Sequence, residues 1–169
     1  MRRLLDTSYN SAAAVAALFM VGLLAMVLLS IISRQMHFHV PGTDAYAGYL
    51  MAASGFLALA HTFKKGEHIR VTLLINALKG RPRRGLELWA LGLAALLALL
   101  FAFYSVKLAW QSHQFNDIST SSDATPLWLP QIAMALGTVI FALALLDDLV
   151  LALLGKRAEP LPGEALRSE

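Results

Sequence analysis

The chain has 169 residues, of which 57% are hydrophobic and only 15% are charged, and its mean hydropathy is +0.60. A soluble domain is typically about a quarter charged, and a chain of this length cannot bury so large an apolar excess in one globule. The composition therefore excludes an ordinary soluble domain and indicates a membrane protein. The chain has no cysteine, which excludes disulfide bonds and cysteine-ligated metal centres.

Four apolar runs are long enough to cross the hydrocarbon core, which takes roughly 20 helical residues. None of them shows the period-2 alternation of a membrane β-strand. The sequence therefore predicts an all-α membrane protein with four transmembrane helices, at residues 12–32, 45–63, 86–108 and 129–150. It divides the chain into an N-terminal segment, a four-helix membrane domain and a disordered tail, at residues 1–11, 12–157 and 158–169.

The first run follows Arg2 and Arg3, an arrangement that also begins cleaved signal peptides. The apolar core of such a peptide has about 7–15 residues, and this run is longer. No convincing cleavage site of small residues follows Ile32. The sequence therefore favours a retained first helix over a cleaved signal.

The basic residues are distributed unevenly about these spans. Twelve of the fourteen Lys and Arg lie before span one, between spans two and three, or after span four, and only Arg34 and Lys107 lie on the other side. The positive-inside rule then predicts that both termini lie in the cytoplasm. The net charge of +3 is carried at the ends of apolar runs, so we expect no nucleic-acid partner.

The segment between spans two and three combines basic and apolar residues. From His68 to Lys79, the polar residues share about a quarter of a helical wheel, and seven apolar residues fill most of the rest. This pattern predicts a short amphipathic helix in the membrane interface, ended by Gly80 and Pro82. A solvated basic loop is the alternative.

The polar loop from Gln111 to Leu127 is the longest segment expected on the outer side. It is the natural contact for a partner outside the membrane, and a plain connector is an equally good interpretation.

The sequence contains no glycine-rich phosphate loop, no helical pair of metal-binding histidines and no nucleophile elbow. The deep interiors of the spans contain no ionisable residue, although such residues usually mark an ion or substrate path. We therefore expect no catalytic, cofactor-binding or metal-binding residue and no enzyme activity. A small transporter or channel that acts alone is a weaker hypothesis.

The histidines suggest an alternative function, a haem-binding or quinone-associated membrane anchor of a respiratory complex. Axial ligands would have to come from two helices at matching depth. His61 and His68 lie on the inner side, whereas His37, His39 and His113 lie on the outer side. The one conceivable pair, His39 with His113, lies beyond the expected hydrocarbon limits.

Small residues recur four apart on the first two spans, which lets membrane helices approach closely. They are Ala12, Ala16 and Ala17 on span one, and Gly48 with Ala52 and Ser54 with Ala58 on span two. Packing faces without an active centre are typical of a subunit of a larger assembly.

Two short motifs carry a family resemblance. The sequence "GEHIRV" at residues 66–71 follows span two, and "PLWLPQIAMALG" at residues 126–137 opens span four. With four spans and both ends inside, the chain resembles the small membrane subunit (Q subunit) of TRAP transporters, the tripartite ATP-independent periplasmic systems, over roughly residues 10–157.

The resemblance implies a scaffold that braces a large, multi-span subunit, which carries the substrate by an elevator-type movement. It also implies a periplasmic binding protein that delivers a carboxylate substrate, and uptake driven by a sodium gradient. The family has no established catalytic residue in its small subunit.

The motifs and the basic segment supply candidate contacts with the partner subunit or with membrane lipids. Arg70 falls outside the polar stripe of its helix, so we expect it to meet a lipid phosphate or a partner. The candidate contact residues are Glu67, His68, Arg70, Arg81, Arg83, Arg84, Trp128, Pro130 and Gly137.

Overall fold

A computed structural model describes residues 2–38, 40–64, 81–121 and 123–155, without the side chains of residues 2–6, 81 and 83. The described residues form four helices, α1 (Arg2–Gln35), α2 (Thr43–Lys64), α3 (Arg81–Gln114) and α4 (Trp128–Leu153). They contain no β-strand, and one isolated bridge pairs Ile118 with Pro126. The predicted all-helical fold with four main helices is confirmed. The predicted interfacial helix and the tail at 158–169 lie outside the described residues.

Three of the helices are long and apolar enough to cross a membrane. These candidate spans are Thr7–Gln35, Arg84–Gln114 and Trp128–Leu153. α1 and α3 have 34 residues each, so each is about 50 Å long and exceeds the roughly 30 Å of hydrocarbon. α2 has 22 residues but carries tyrosine, serine, glycine and histidine among its apolar side chains, so its crossing stays a prediction.

The helices lie in a row in the order α1, α2, α4, α3. A short turn joins α1 to α2 and a longer loop joins α3 to α4, so each pair forms an antiparallel hairpin. The two hairpins meet through α2 and α4, which run parallel at the centre of the row. α1 and α3 are therefore the outer helices, and each keeps a broad apolar face that no described helix covers.

Small side chains make the contact between α3 and α4 close. The buried residues of α3 recur at alternating spacings of four and three, which places them on one stripe of the helix. They pack with Ala142 and Leu145 of α4, and Ala and Ser let the two backbones approach. The stripe consists of Leu91, Ala95, Ala98, Ala102 and Ser105.

The predicted packing residues are only partly correct. Ala12, Ala16 and Ser54 are buried, which confirms their place in helix contacts. Ala17, Gly48 and Ala52 are exposed, so they make no close helix contact among the described residues. A spacing of four residues marks a stripe on any face of a helix, and α2 turns a different face toward its neighbours.

Candidate functional sites

At the end of the bundle where α2 and α4 finish, here called the Lys64 end, Lys64 links three helices. Lys64 is the last residue of α2, and its Nζ lies 3.0 Å from Oδ2 of Asp147 on α4. The same Nζ lies 4.9 Å above the ring of Tyr9 on α1. Both members of the ion pair are largely covered, with 31% and 22% of their side chains exposed. Lys64 therefore joins α1, α2 and α4, besides suiting the negative end of its own helix.

Arg84 reaches the same end of the bundle from α3. Its Nη2 lies 3.5 Å from the position that a Cβ would take on Gly155, just beyond the end of α4. The last carbonyl groups of a helix favour a nearby cation. Arg84 is thus placed between α3 and α4, at the edge of the bundle.

The other residues of the predicted basic cluster are less fully described. Arg81 and Arg83 lie in the first turn of α3, and their side chains are not described. Glu67, His68 and Arg70 lie outside the described residues. Their contacts with a partner or with lipid stay predictions.

At the opposite end, here called the Asp123 end, an ion pair connects α1 to α2. Arg34 in the last turn of α1 donates to Asp44 Oδ2 at 3.2 Å, and Ser30 Oγ donates to Oδ1 at 3.1 Å. The Arg34 and Asp44 side chains are 73% and 78% exposed, so their pair contributes little stability. A cavity of about 330 Å³ lies beside this pair, and its charged side chains are those that already bond each other.

Two tyrosines of α2 hold the α3–α4 loop at this end. The Tyr49 hydroxyl donates to Asp123 Oδ2 at 3.2 Å and lies 2.9 Å from Ser119 Oγ. Thr125 Oγ1 lies 3.1 Å from the Tyr46 hydroxyl. We call these five residues the hydroxyl clamp. Because Tyr46 and Tyr49 are three residues apart, they lie on one face of α2, and their rings meet edge to face with centroids 6.1 Å apart.

The carboxylate of Asp123 is the electrostatic centre of the hydroxyl clamp. Hydrogen bonding from Thr125, aided by Ser119 and Tyr49, lowers the pKa of Asp123 from its usual value, against the opposing effect of burial. One of its oxygens, Oδ1, is buried and has no hydrogen-bond partner among the described atoms. The clamp therefore prefers an ionised Asp123.

The turn between α1 and α2 packs directly on this loop. Gly42 has φ +83°, a conformation that favours glycine, and a Cβ there would lie 2.8 Å from Cβ of Asp123. The turn, the N-terminal half of α2 and the α3–α4 loop therefore form one layer at the Asp123 end.

The motif residues at the start of α4 lie against α3. Trp128 is the first residue of α4, and its ring meets that of His113, in the last turn of α3, with centroids 5.2 Å apart. Pro130 lies in the first turn of α4, where its missing N–H does not remove a helix hydrogen bond. Both residues are half-buried, so each still presents some surface for the predicted partner or lipid contact.

Gly137 lies where α2 crosses α4. A Cβ at this position would lie 2.5 Å from both the carbonyl carbon and the oxygen of Phe56, closer than atoms can pack. The next residue, Thr138, is 1% exposed and returns its hydroxyl to the carbonyl of Met134. Gly137 therefore allows α2 and α4 to pack closely within the chain. Its predicted contact with a partner or with lipid stays a prediction.

The outer helices expose large apolar side chains over much of their length, more than a soluble monomer tolerates. Those at least 58% exposed include Leu18, Met20, Val21 and Leu24 on α1, and Trp89, Phe103, Tyr104 and Trp110 on α3. These faces can meet lipid hydrocarbon or apolar helices of a partner.

Sequence reasoning did not find the hydroxyl clamp or the Lys64–Asp147 pair. The paired residues are 74 positions apart for Tyr49 with Asp123 and 83 apart for Lys64 with Asp147. The two tyrosines on one face of α2, the helix that is not among the candidate spans, were a visible signal. Their partners depend on the order of the helices, which hydropathy does not encode.

One comparison with known proteins gives a family. The family model described as "Tripartite ATP-independent periplasmic transporters, DctQ component" matches residues 23–155, from the middle of α1 to the end of α4. No curated protein matches the chain.

Proposed function

Since the chain belongs to the DctQ component family of the tripartite ATP-independent periplasmic transporters, we propose that it is a non-catalytic scaffold subunit that braces a larger transport subunit. The family match carries this proposal, because it covers most of the chain and reaches all four helices.

A scaffold has to resist deformation while its partner moves, and three contacts support that property here. The Lys64–Asp147 pair fixes one end of the bundle, and the hydroxyl clamp fixes the other. Between them, the backbone of α2 lies against Gly137 of α4. Sliding or tilting of α2 on α4 would therefore break contacts at three levels.

The apolar faces of α1 and α3 suit a partner in the membrane. We propose that a large multi-span subunit covers one of them and that lipid covers the other. Packing in hydrocarbon gains from close side-chain contact and not from removal of water, so the interface would depend on shape.

The remaining features follow from the family resemblance. A periplasmic protein would deliver an organic acid to the complex, and a sodium gradient would drive its uptake. The complex would lie in the bacterial inner membrane, with α2 as the fourth span and the Lys64 end in the cytoplasm, where most of the basic residues lie. The family match gives no support to a haem- or quinone-associated anchor.

Uptake in reconstituted vesicles tests this proposal. Vesicles holding this chain, the large subunit and the binding protein should accumulate a carboxylate substrate when a sodium gradient is imposed. Vesicles holding this chain alone should accumulate none. Sodium-driven uptake by this chain alone would show that it contains the transport path, and would contradict the scaffold role.

A further inference from the structure

Two large apolar side chains are exposed where α3 ends and its loop to α4 begins. Phe115, the first residue after α3, is 72% exposed, and Ile118, further along the loop, is 60% exposed. Their neighbours in the sequence are polar and include Asn116, Asp117 and Ser119. Phe115 and Ile118 therefore form a small apolar patch, here called the Phe115 patch, just beyond the candidate span of α3.

The end of α3 fixes the position of Phe115. Its N–H donates to the carbonyl of Gln111 at 2.9 Å, so Phe115 still follows the helix. It lies about two turns beyond Leu108, which is exposed on the same face of α3. The next residue, Asn116, has φ 53°, the left-handed conformation that commonly ends a helix. The exposed apolar face of α3 therefore continues to Phe115.

Backbone contacts fix Ile118 and the rest of the loop. Ile118 pairs with Pro126 in the isolated antiparallel bridge, and the neighbouring Ser119 N–H donates to the Thr125 carbonyl at 2.8 Å. The hydroxyl clamp then holds the far part of the loop against α2. The loop is therefore folded back on the bundle, which keeps Ile118 near the start of α4.

The length of α3 indicates the depth of the Phe115 patch in the bilayer. The candidate span Arg84–Gln114 has 31 residues and is about 46 Å long, against roughly 30 Å of hydrocarbon. Centred in the bilayer with an average tilt of about 20°, it extends about 7 Å beyond the hydrocarbon at each end. Each headgroup layer is about 5–8 Å thick. Phe115 therefore lies at the headgroup level, and a helical side chain leans toward the N-terminus, which here means toward the hydrocarbon.

Lipid fits this patch better than a protein partner does. A phenylalanine and an isoleucine together cover at most a few hundred Å², whereas a stable protein interface takes roughly 800 Å² per partner. Apolar side chains that reach the boundary of headgroups and acyl chains anchor a segment to the membrane surface. The hydrogen bonds within the loop also satisfy backbone groups, which lowers the cost of entering a layer that is poor in water.

We propose that the Phe115 patch inserts into the headgroup layer of the leaflet at the Asp123 end, so that the α3–α4 loop rests on the lipid surface. Phe115 and Ile118 are the inserted side chains, while Asp117 between them stays in contact with water. The insertion sets the depth at which this end of α3 lies in the bilayer. This inference depends on α3 crossing the membrane and not on the proposed scaffold function.

The test is the depth of single spin labels, which is simple here because the chain has no cysteine. The full-length chain carries one labelled cysteine and is placed in vesicles of phosphatidylethanolamine and phosphatidylglycerol. Paramagnetic resonance then measures collisions of the label with oxygen, which concentrates in lipid, and with a water-soluble nickel complex. The ratio of oxygen to nickel collisions should be several-fold higher for Phe115→Cys and Ile118→Cys than for the controls. The matched controls are Asp117→Cys and Ser121→Cys, at exposed polar positions of the same loop.

All four positions are outside the helix contacts, and a circular dichroism spectrum equal to that of the wild type checks that each variant folds. The proposal is wrong if the labels at Phe115 and Ile118 collide with nickel as often as the control labels do. Protection of both labels from oxygen and nickel alike would also overturn it, because a protein contact with a second copy of the chain would then cover the patch.

Discussion

The close crossing of α2 and α4 gives the sharpest prediction of stability. Gly137→Ala would place a methyl carbon 2.5 Å from backbone atoms of Phe56 and 2.9 Å from its Cβ. Two of these three atoms belong to the main chain, so no rotamer change can relieve the clash. The helices would have to separate by roughly 1 Å, because carbon atoms pack at about 3.5–4.0 Å.

The expected magnitude follows from two opposing effects. Overpacking of this kind destabilises by about 1–3 kcal/mol. Replacing glycine by alanine within a helix stabilises the helix by roughly 0.5–1 kcal/mol. We therefore expect Gly137→Ala to lower the free energy of unfolding by about 1–2 kcal/mol, and Gly137→Leu to lower it further.

The assay is reversible unfolding of the purified chain in mild detergent, with Gly55→Ala as the matched control. Gly55 lies within α2, and a Cβ there meets nothing within 4 Å. Gly55→Ala should therefore leave stability unchanged or raise it slightly. Equal stability of Gly137→Ala and Gly55→Ala would refute the backbone contact between α2 and α4.

Three further predictions concern the charged groups. Lys64→Met leaves the largely covered Asp147 without its cation and should lower the free energy of unfolding by about 1–2 kcal/mol. Adding Asp147→Asn should recover most of the loss. A double variant no more stable than Lys64→Met would contradict the pairing. Because folding lowers the pKa of Asp123, its ionised carboxylate stabilises the fold at pH values above the ordinary pKa of 3.8. This stabilisation disappears as the pH falls through the lower pKa of the folded chain. Unfolding temperatures between pH 6 and pH 3 should therefore fall more steeply for the wild type than for Asp123→Asn, and parallel curves would refute the hydroxyl clamp. Neutral residues at the three arginines that begin α3 should impair insertion or assembly, measured by membrane yield and copurification, without changing which substrate is taken up; a changed substrate would contradict the scaffold role. These arginines are Arg81, Arg83 and Arg84.

The positions of the four helices were predictable because each contains an apolar run of about 20 residues. The helices extend beyond the predicted spans, most clearly α3, which runs from Arg81 to Gln114, whereas the predicted span covers residues 86–108. Hydropathy reports where hydrocarbon should end, whereas helical hydrogen bonding continues through polar residues into the interface. The tyrosines and small residues of α2 weaken the apolar signal that identifies a span.

The contacts between helices were much less predictable. Small residues four apart correctly marked Ala12 and Ala16 but also marked Gly48, which faces outward. The spacing fixes a stripe on a helix, and only the order of helices decides which stripe is covered. Gly137 lies in one of the motifs that carry the family resemblance, so the sequence drew attention to it. The reason for a glycine there is the close approach of the Phe56 backbone, which only the fold reveals.

The central claim is that this chain works as a stable companion of a larger transport subunit. Purification of the tagged full-length chain from its native membrane, in a detergent that preserves complexes, tests it most directly. The account predicts a constant ratio of this chain to one multi-span protein, identified by mass spectrometry as the large subunit of the same transporter. Recovery of the chain as a lone monomer under those conditions would contradict it.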